Sequence, residues 1–438
     1  MRDIEAIKQH EAALQRSATV WIVTGLLFML LPGTFLGAWN LISISDEHGA
    51  AHVDPAWIQA HGHAQIFGWI GCFILGIGFY SLSKMRGQAP FAISRSWTSW
   101  ALWTAGVGLR WATNLWRWEW RVALPVSGVL ELAAFLLFFL TVRGHRGEKS
   151  PSEGGQGSRI WIGIVVVGTM GFLLSLLANL GAAIHSAFEG AGPAVAPGLN
   201  SRLLAVYTWA FPVVTIWGFS ARWLPTFLGL SRPDDRLLKA ALAINTAAVA
   251  CALGAWWLPA TTLFLAGSIT AAAGLRIFSR GERPPKIVGV HPTFPLFVRI
   301  AYAWLLIAAC ISLSAAVWDK AGGLWGASRH ALTVGFISTM VFAIGQRVLP
   351  AFCGMRVLFS PVLMFAALAS LNAGCFLRVG SEIGAYEGYL PALWSVLPVS
   401  AIIEMTAMTL FAANLFVTFG QDPPHLRYQQ RAAQMQGS

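Results

Sequence analysis

Four histidines in this sequence could bind a metal or a metal-containing cofactor inside a membrane. His61, His63 and His330 lie near the starts of long apolar segments, and His185 lies just beyond the end of another. Successive segments cross a bilayer in alternating directions, so all four fall in one layer near the outer face. Because ligating side chains within a bilayer are costly and usually functional, we expect at least His63 and His330 to be ligands.

The spacing of the first two histidines limits the chemistry. His61 and His63 lie about 200° apart around a helix axis, so they cannot ligate one metal from the same face. The simplest site is a bis-histidine haem between His330 and either His63 or His61, because iron in a porphyrin takes axial imidazoles from two facing helices. Zinc or copper held by imidazoles alone is the alternative. It requires convergence of three or four of His61, His63, His185 and His330.

Arg329 is the predicted partner for the acidic groups of such a cofactor. It directly precedes His330, and a guanidinium binds a carboxylate through two parallel hydrogen bonds. Glu131 and Glu404 also fall within apolar segments, where they could contribute to a proton route. The predicted cofactor-binding residues are therefore His61, His63, His330 and Arg329.

Three segments of the chain repeat one pattern. Residues 222–229 and 347–354 share the sequence Arg-x-Leu-Pro-x-Phe-x-Gly, and residues 63–70 and 330–337 both open with His-Ala. The offset of 125 residues aligns His330 with Ala205, so the middle copy has no histidine. The copies lie four helices apart, which predicts three sets of four helices.

The composition indicates a polytopic membrane protein. Of 438 residues, 56% are hydrophobic and 11% charged, which is too apolar for a soluble protein. We predict an all-α fold of about twelve transmembrane helices, since twelve apolar runs can cross about 30 Å of hydrocarbon. Residues 19–418 form this single domain, between an N-terminal segment (1–18) and a C-terminal tail (419–438). The spans lie near 19–41, 57–83, 97–115, 121–142, 160–183, 201–228, 237–254, 256–275, 295–317, 325–350, 359–380 and 389–418.

Basic residues predict the orientation of these helices. Lys and Arg cluster in the N-terminal segment and in alternate loops, whereas residues 42–56, 184–200 and 381–388 contain none. By the positive-inside rule both termini face the cytoplasm. The net charge of +11 therefore orients the chain among membrane lipids, and we expect no nucleic-acid partner. Residues 144–158, rich in Gly, Ser and charge, form the longest predicted linker.

Several of these motifs resemble the NnrS family. The resemblance implies a twelve-span inner-membrane protein of bacteria that contains haem and copper and is linked to nitric oxide metabolism or resistance to nitrosative stress. The family's His-Ala-His-Glu-Met reads His-Gly-His-Ala-Gln here, and its His-Thr-Gly run after the last arginine is replaced by residues 350–352. Because both motifs depart from the family pattern, the metal content of this chain can differ from that of the family. The similar segments are 61–68, 222–227, 302–304 and 330–335, with Thr339, Met340 and Arg347.

The helix count and the histidines of the second and tenth spans also resemble the catalytic subunit of haem–copper oxidases and nitric oxide reductases. That subunit carries the ligands of its low-spin haem on the same two helices, a likeness at the level of the fold. It also needs three histidines on the sixth and seventh spans, and residues 201–254 contain none. We therefore expect no oxygen-reducing binuclear centre.

Three hypotheses for function follow. The leading one is a membrane protein that binds haem of b type, and copper if the resemblance holds, and acts on nitric oxide or another small diffusible ligand. The second is a redox subunit of the oxidase or reductase type, with a donor protein on the periplasmic side. The third is a transporter without haem. The sequence leaves open whether the protein turns over a substrate or only binds one.

Overall fold

The computed structural model describes residues 2–85, 92–144 and 160–423. Most of the predicted linker, from residue 145 onward, and the predicted tail beyond residue 423 lie outside these ranges. The helices, including four π-helical segments, are α1 (Arg2–Phe28), π1 (Met29–Phe35), α2 (Leu36–Asp46), α3 (Pro55–His63), π2 (Ala64–Gly71), α4 (Cys72–Met85), α5 (Ser94–Trp116), α6 (Trp120–Gly144), α7 (Ile160–Glu189), α8 (Pro197–Ala205), π3 (Val206–Val213), α9 (Val214–Phe227), α10 (Asp235–Leu253), α11 (Trp257–Gly274), α12 (Phe294–Trp318), α13 (Gly323–His330), π4 (Ala331–Ser338), α14 (Thr339–Phe352), α15 (Pro361–Tyr386) and α16 (Leu393–Gly420).

Each π segment joins two α-helices into one continuous helix, so the described residues form twelve long helices. The joined pairs α1–α2, α3–α4, α8–α9 and α13–α14 are the first, second, sixth and tenth of the twelve. Ten helices are long and apolar enough to cross a membrane, and the other two, α5 and α11, pack beside them. The predicted all-α membrane fold of twelve helices is confirmed. Several helices extend past the predicted spans: α7 reaches Glu189 and α15 reaches Tyr386.

The π segments reproduce the sequence repeat in the backbone. π2, π3 and π4 have eight residues each and begin directly after His63, Ala205 and His330. An α-helix of 14 residues follows each of them. π-helical turns are rare and frequently occur at functional sites. Since π3 packs against both π2 and π4, the three repeated helices meet where this irregularity occurs.

Capping interactions fix where the second and tenth helices begin. The Asp54 carboxylate accepts a hydrogen bond from the Ala56 N–H at 2.9 Å, at the start of α3. The Asp319 carboxylate accepts from the N–H groups of Gly322 and Trp325, at 2.6 and 2.8 Å, at the start of α13. Gly322 has φ +88°, a left-handed conformation that glycine adopts without a steric penalty. The histidines therefore fall in the last turns of α3 and α13.

Aromatic rings hold the second and tenth helices together. Trp69 in π2 packs edge-to-face against Phe342 in α14, with ring centroids 6.1 Å apart. Phe342 stacks on Phe411 of α16 at 3.9 Å. Aromatic pairs of this kind contribute about 0.5–1.5 kcal/mol beyond their burial. This packing keeps the histidine-bearing ends of the two helices on a shared interior space.

Candidate cofactor site between the second and tenth helices

A cavity of about 510 Å³ lies between the helices that carry the histidines. Its volume falls within the roughly 300–1,000 Å³ of sites that hold small molecules and cofactors. The wall is mostly apolar, and exposed Gly198 and Gly322 form part of it, so the cavity reaches the end of the bundle where α8 and α13 begin. The polar lining includes four residues predicted from the sequence: His61, His63, His330 and Arg329.

His61 has the hydrogen bonding that is typical of a metal ligand. Its Nδ1 lies 2.8 Å from the carbonyl oxygen of Gly33 in π1. A carbonyl oxygen can only accept, so Nδ1 carries the proton and Nε2 keeps a free lone pair. Metal-bound imidazoles usually donate their other ring nitrogen to a carbonyl or a carboxylate in this way. The ring also packs tightly on Gly37, where an added Cβ would lie 2.5 Å from His61 Cε1.

His330 repeats this arrangement on the tenth helix. Its Nδ1 lies 3.0 Å from the carbonyl oxygen of Gly326 and 3.1 Å from Glu382 Oε2. The Nδ1–H group donates to the Gly326 carbonyl, with the Glu382 carboxylate beside it at ion-pair distance, which again leaves Nε2 available. The imidazoles of His330 and His61 are close enough to interact electrostatically. Two imidazoles that each keep Nε2 free of the hydrogen bond made by Nδ1 therefore line one cavity from two helices.

His63 makes different contacts. Its Nε2 lies 2.8 Å from Glu131 Oε1, and its ring stacks on Phe67 with centroids 4.7 Å apart. Glu131 is fully buried, and its second oxygen accepts from Asn179 Nδ2 at 3.3 Å. His63 and Glu131 thus form a buried pair between the second and fourth helices. The bond to Glu131 uses Nε2 of His63, so only Nδ1, the nitrogen next to the attachment of the ring, would remain for a metal. His61 keeps the less hindered Nε2, so the geometry favours His61 as the ligand on the second helix.

Sequence reasoning did not identify Arg378 and Glu382 of α15 as site residues. Arg378 Nη2 lies 3.5 Å from Glu382 Oε1, and within the described part of the chain its buried Nη1 has no hydrogen-bond partner. Arg378 and Glu404 both line the cavity. Two opposite charges four residues apart near the end of an apolar segment were the available signal. Arg329, the predicted carboxylate clamp, also lines the cavity and donates through Nε to the Trp325 carbonyl at 3.1 Å.

His185 does not join the other three histidines. It lies in the last turn of α7, where its Nδ1 is 3.5 Å from Glu189, and half of its side chain is exposed. Across residues 2–85, 92–144 and 160–423, no three His, Cys, Asp or Glu side chains are grouped so that they could hold a metal ion. The alternative of converging imidazoles is therefore not formed in this part of the chain, because α7 ends outside the cavity wall.

The repeated arginines also lie away from the cavity wall. The Arg222 guanidinium lies 4.3 Å from the centre of the Trp161 ring, and that of Arg347 lies 4.8 Å from the centre of the Phe227 ring. Cation–π contacts of this kind stabilise the packing between helices. Both arginines therefore have a partner within the fold.

Comparisons with known proteins agree with this architecture. The chain is similar to a solved chain from a cryo-EM study of a heme-copper terminal oxidase dimer, with a TM-score of 0.54 and 13% sequence identity. The likeness covers 94% of this chain and 84% of the other. The protein is thus a multi-pass α-helical membrane protein whose fold resembles that of the oxidase. Residues 173–418 match a family model described as a domain of unknown function, DUF8744, so the chain belongs to that family. No curated protein matches the sequence.

Proposed function

We propose that this protein binds a haem of b type in the cavity, where His61 and His330 would hold the iron. One observation carries the proposal: each imidazole engages Nδ1 with a backbone carbonyl and keeps Nε2 for a metal. The two residues lie on different helices that line the same cavity, so a haem between them could be held by both imidazoles. The fold likeness to a heme-copper terminal oxidase supports the same interpretation.

Two arginines fit the carboxylates of such a group. Arg378 is 7% exposed, and the unpartnered N–H groups on its Nη1 are costly in a buried position. A carboxylate would satisfy this donor through a charge-assisted hydrogen bond. Arg329 lines the same cavity and retains donors beyond the one bonded to Trp325. Arg329 and Arg378 would therefore hold the propionates.

A haem held by two imidazoles supplies one-electron redox chemistry. The residues of this chain orient the imidazoles through backbone carbonyls and surround the site with mostly apolar side chains. We therefore favour a redox subunit in a bacterial inner membrane, with both termini in the cytoplasm as the distribution of basic residues indicates. Its electron donor would be a protein on the periplasmic side, the side to which the cavity opens in this orientation.

Nitric oxide, or another small diffusible ligand, is the second candidate for what this site handles. The resemblance to the NnrS family suggests it, and open space in the cavity supports it. A Cβ added at Gly62 would meet no heavy atom within 4 Å, and Gly62 lines the cavity between the two histidines of α3. A small ligand would have room there. Copper, which the same resemblance implies, is tested by metal analysis of the purified protein.

The test is a visible spectrum with a pyridine haemochrome assay on protein purified from haem-supplemented cells. We expect sharp reduced α and β bands in the wild type and in His63→Ala, and their loss in His61→Ala and His330→Ala. Added imidazole should restore the bands in His61→Gly, because it replaces the missing ligand. Addition of nitric oxide then separates the candidates: an unchanged spectrum favours electron transfer, and a shifted spectrum favours ligand handling.

Two outcomes would change the assignment. Loss of the bands in His63→Ala with retention in His61→Ala would make His63 the ligand. A colourless wild type with intact folding would remove the haem proposal and leave solute transport to be measured in vesicles.

A further inference from the structure

Arg110 in α5 is a buried cation that the proposed haem site does not use. The residue is 4% exposed, and within the described residues its Nε and Nη1 have no hydrogen-bond partner. Removing a guanidinium from water is expensive unless its donors are satisfied and its charge is paired. Arg110 also lines the cavity. An unpaired donor set therefore borders an interior space that can accept a ligand.

The groups around Arg110 do not satisfy it. Glu131 lies within electrostatic range, but its two oxygens already accept from His63 and Asn179. Tyr207, which also interacts electrostatically with Arg110, lines the cavity, and its ring packs edge-to-face on Phe67 at 5.1 Å. A hydroxyl and a guanidinium are both donors to an anion.

The cavity that Arg110 and Tyr207 line is accessible. Gly62 and Gly198 line the cavity, and an added Cβ at either position would meet no heavy atom within 4 Å. Gly198 is exposed in the first turn of α8. A solute can therefore reach the cavity from the end of the bundle without crossing the hydrocarbon.

We propose that Arg110 and Tyr207 form a binding subsite for a small planar monoanion of the carboxylate type. The orphan nitrogens Nε and Nη1 of Arg110 lie on the two bidentate edges of the guanidinium, Nε/Nη2 and Nη1/Nη2. Either edge presents the fork geometry that matches paired oxygens. The anion could be free in solution or could be a carboxylate of a group bound in the same cavity. Both sources share this chemistry, and the experiment distinguishes them. The subsite does not depend on haem binding.

The test measures binding of formate and nitrite to the purified protein, by isothermal titration and by the shift in thermal unfolding temperature. Sodium sulfate at matched ionic strength serves as the salt control. The measurement is made on protein purified with and without haem supplementation. We expect saturable binding to the haem-free protein. Binding that persists after haem supplementation assigns a free anion. Binding lost on haem loading assigns a haem carboxylate to Arg110, in place of its assignment to Arg329 or Arg378.

Substitutions localise the binding. Arg110→Gln should weaken it about 30-fold or more, because a charge-assisted pair loses its cation. Tyr207→Phe removes only the hydroxyl and should weaken binding roughly 10-fold while the contact with Phe67 remains. Arg222→Gln is the matched control, since Arg222 stacks on Trp161 outside the cavity, and it should bind as the wild type does.

The proposal fails if the haem-free wild type shows no saturable binding, or if Arg110→Gln binds as tightly as the wild type. Should Arg110→Gln not fold, Tyr207→Phe and Gly62→Leu decide, because Gly62→Leu fills the open space without removing a charge. Unchanged affinity in both would also overturn it. Since the measurement uses haem-free protein, its failure is distinct from a failure of the haem proposal.

Discussion

Replacing Gly37 by alanine should weaken haem binding without removing any candidate ligand. The new Cβ would lie 2.5 Å from Cε1 and 2.6 Å from Nδ1 of His61. Carbon atoms make favourable contact at about 3.5–4.0 Å, so the ring must retreat by roughly 1 Å. The hydrogen bond from His61 Nδ1 to the Gly33 carbonyl, now 2.8 Å, would then exceed the usual range.

The magnitude follows from the role of that bond. Loss of a hydrogen bond that orients a metal-ligating imidazole typically costs 10- to 100-fold in metal affinity, or about 1.4–2.7 kcal/mol. We expect this loss for Gly37→Ala when haemin is titrated into haem-free protein and followed by absorbance in the Soret region. Gly181→Ala in α7 is the matched control, because its Cβ would meet no heavy atom within 4 Å and Gly181 does not line the cavity.

Wild-type affinity in Gly37→Ala, with an intact thermal transition, would refute the assignment of His61 as a ligand. Equal losses in Gly37→Ala and Gly181→Ala would show that an added methyl group anywhere in the bundle disturbs the site. In that case the steric argument for the His61 ring would not hold.

Three further predictions concern single side chains. Glu131→Ala should lower the free energy of unfolding in detergent by about 3–5 kcal/mol, because it leaves His63 without its buried partner. A loss of unfolding free energy below about 1 kcal/mol would contradict a buried pair. Arg378→Gln should weaken haemin binding about 10-fold or more in the same titration, and unchanged affinity would remove it as a propionate partner. Asp234 accepts hydrogen bonds from the Leu237 and Arg236 N–H groups, which hold the pKa of its carboxyl below its usual 3.8. That stabilisation is present above the unfolded-state pKa and is lost as pH falls through the lower folded-state pKa. Asp234→Ala should therefore lower the melting temperature at pH 7, and its difference from the wild type should shrink below about pH 4. A difference in melting temperature that does not depend on pH would exclude the cap.

Much of the fold could be predicted because hydropathy and helix length are local properties. Twelve apolar segments predict twelve helices, since each must satisfy its backbone hydrogen bonds internally in a bilayer. The repeat also predicted that the second, sixth and tenth helices are equivalent. Their π segments after His63, Ala205 and His330 follow that equivalence, but the sequence pattern contained no signal for the extra residue in each turn.

The sequence by itself determined that His61, His63 and His330 lie at one level of the bundle, because that level depends only on distance along each helix. Which ring nitrogen each imidazole keeps free of a hydrogen bond was decided by tertiary contacts. The Gly33 carbonyl orients His61, whereas Glu131 engages His63. Likewise, only packing brought Arg378 to the cavity wall, since rotation of a helix about its axis is fixed by its neighbours and not by its own hydropathy.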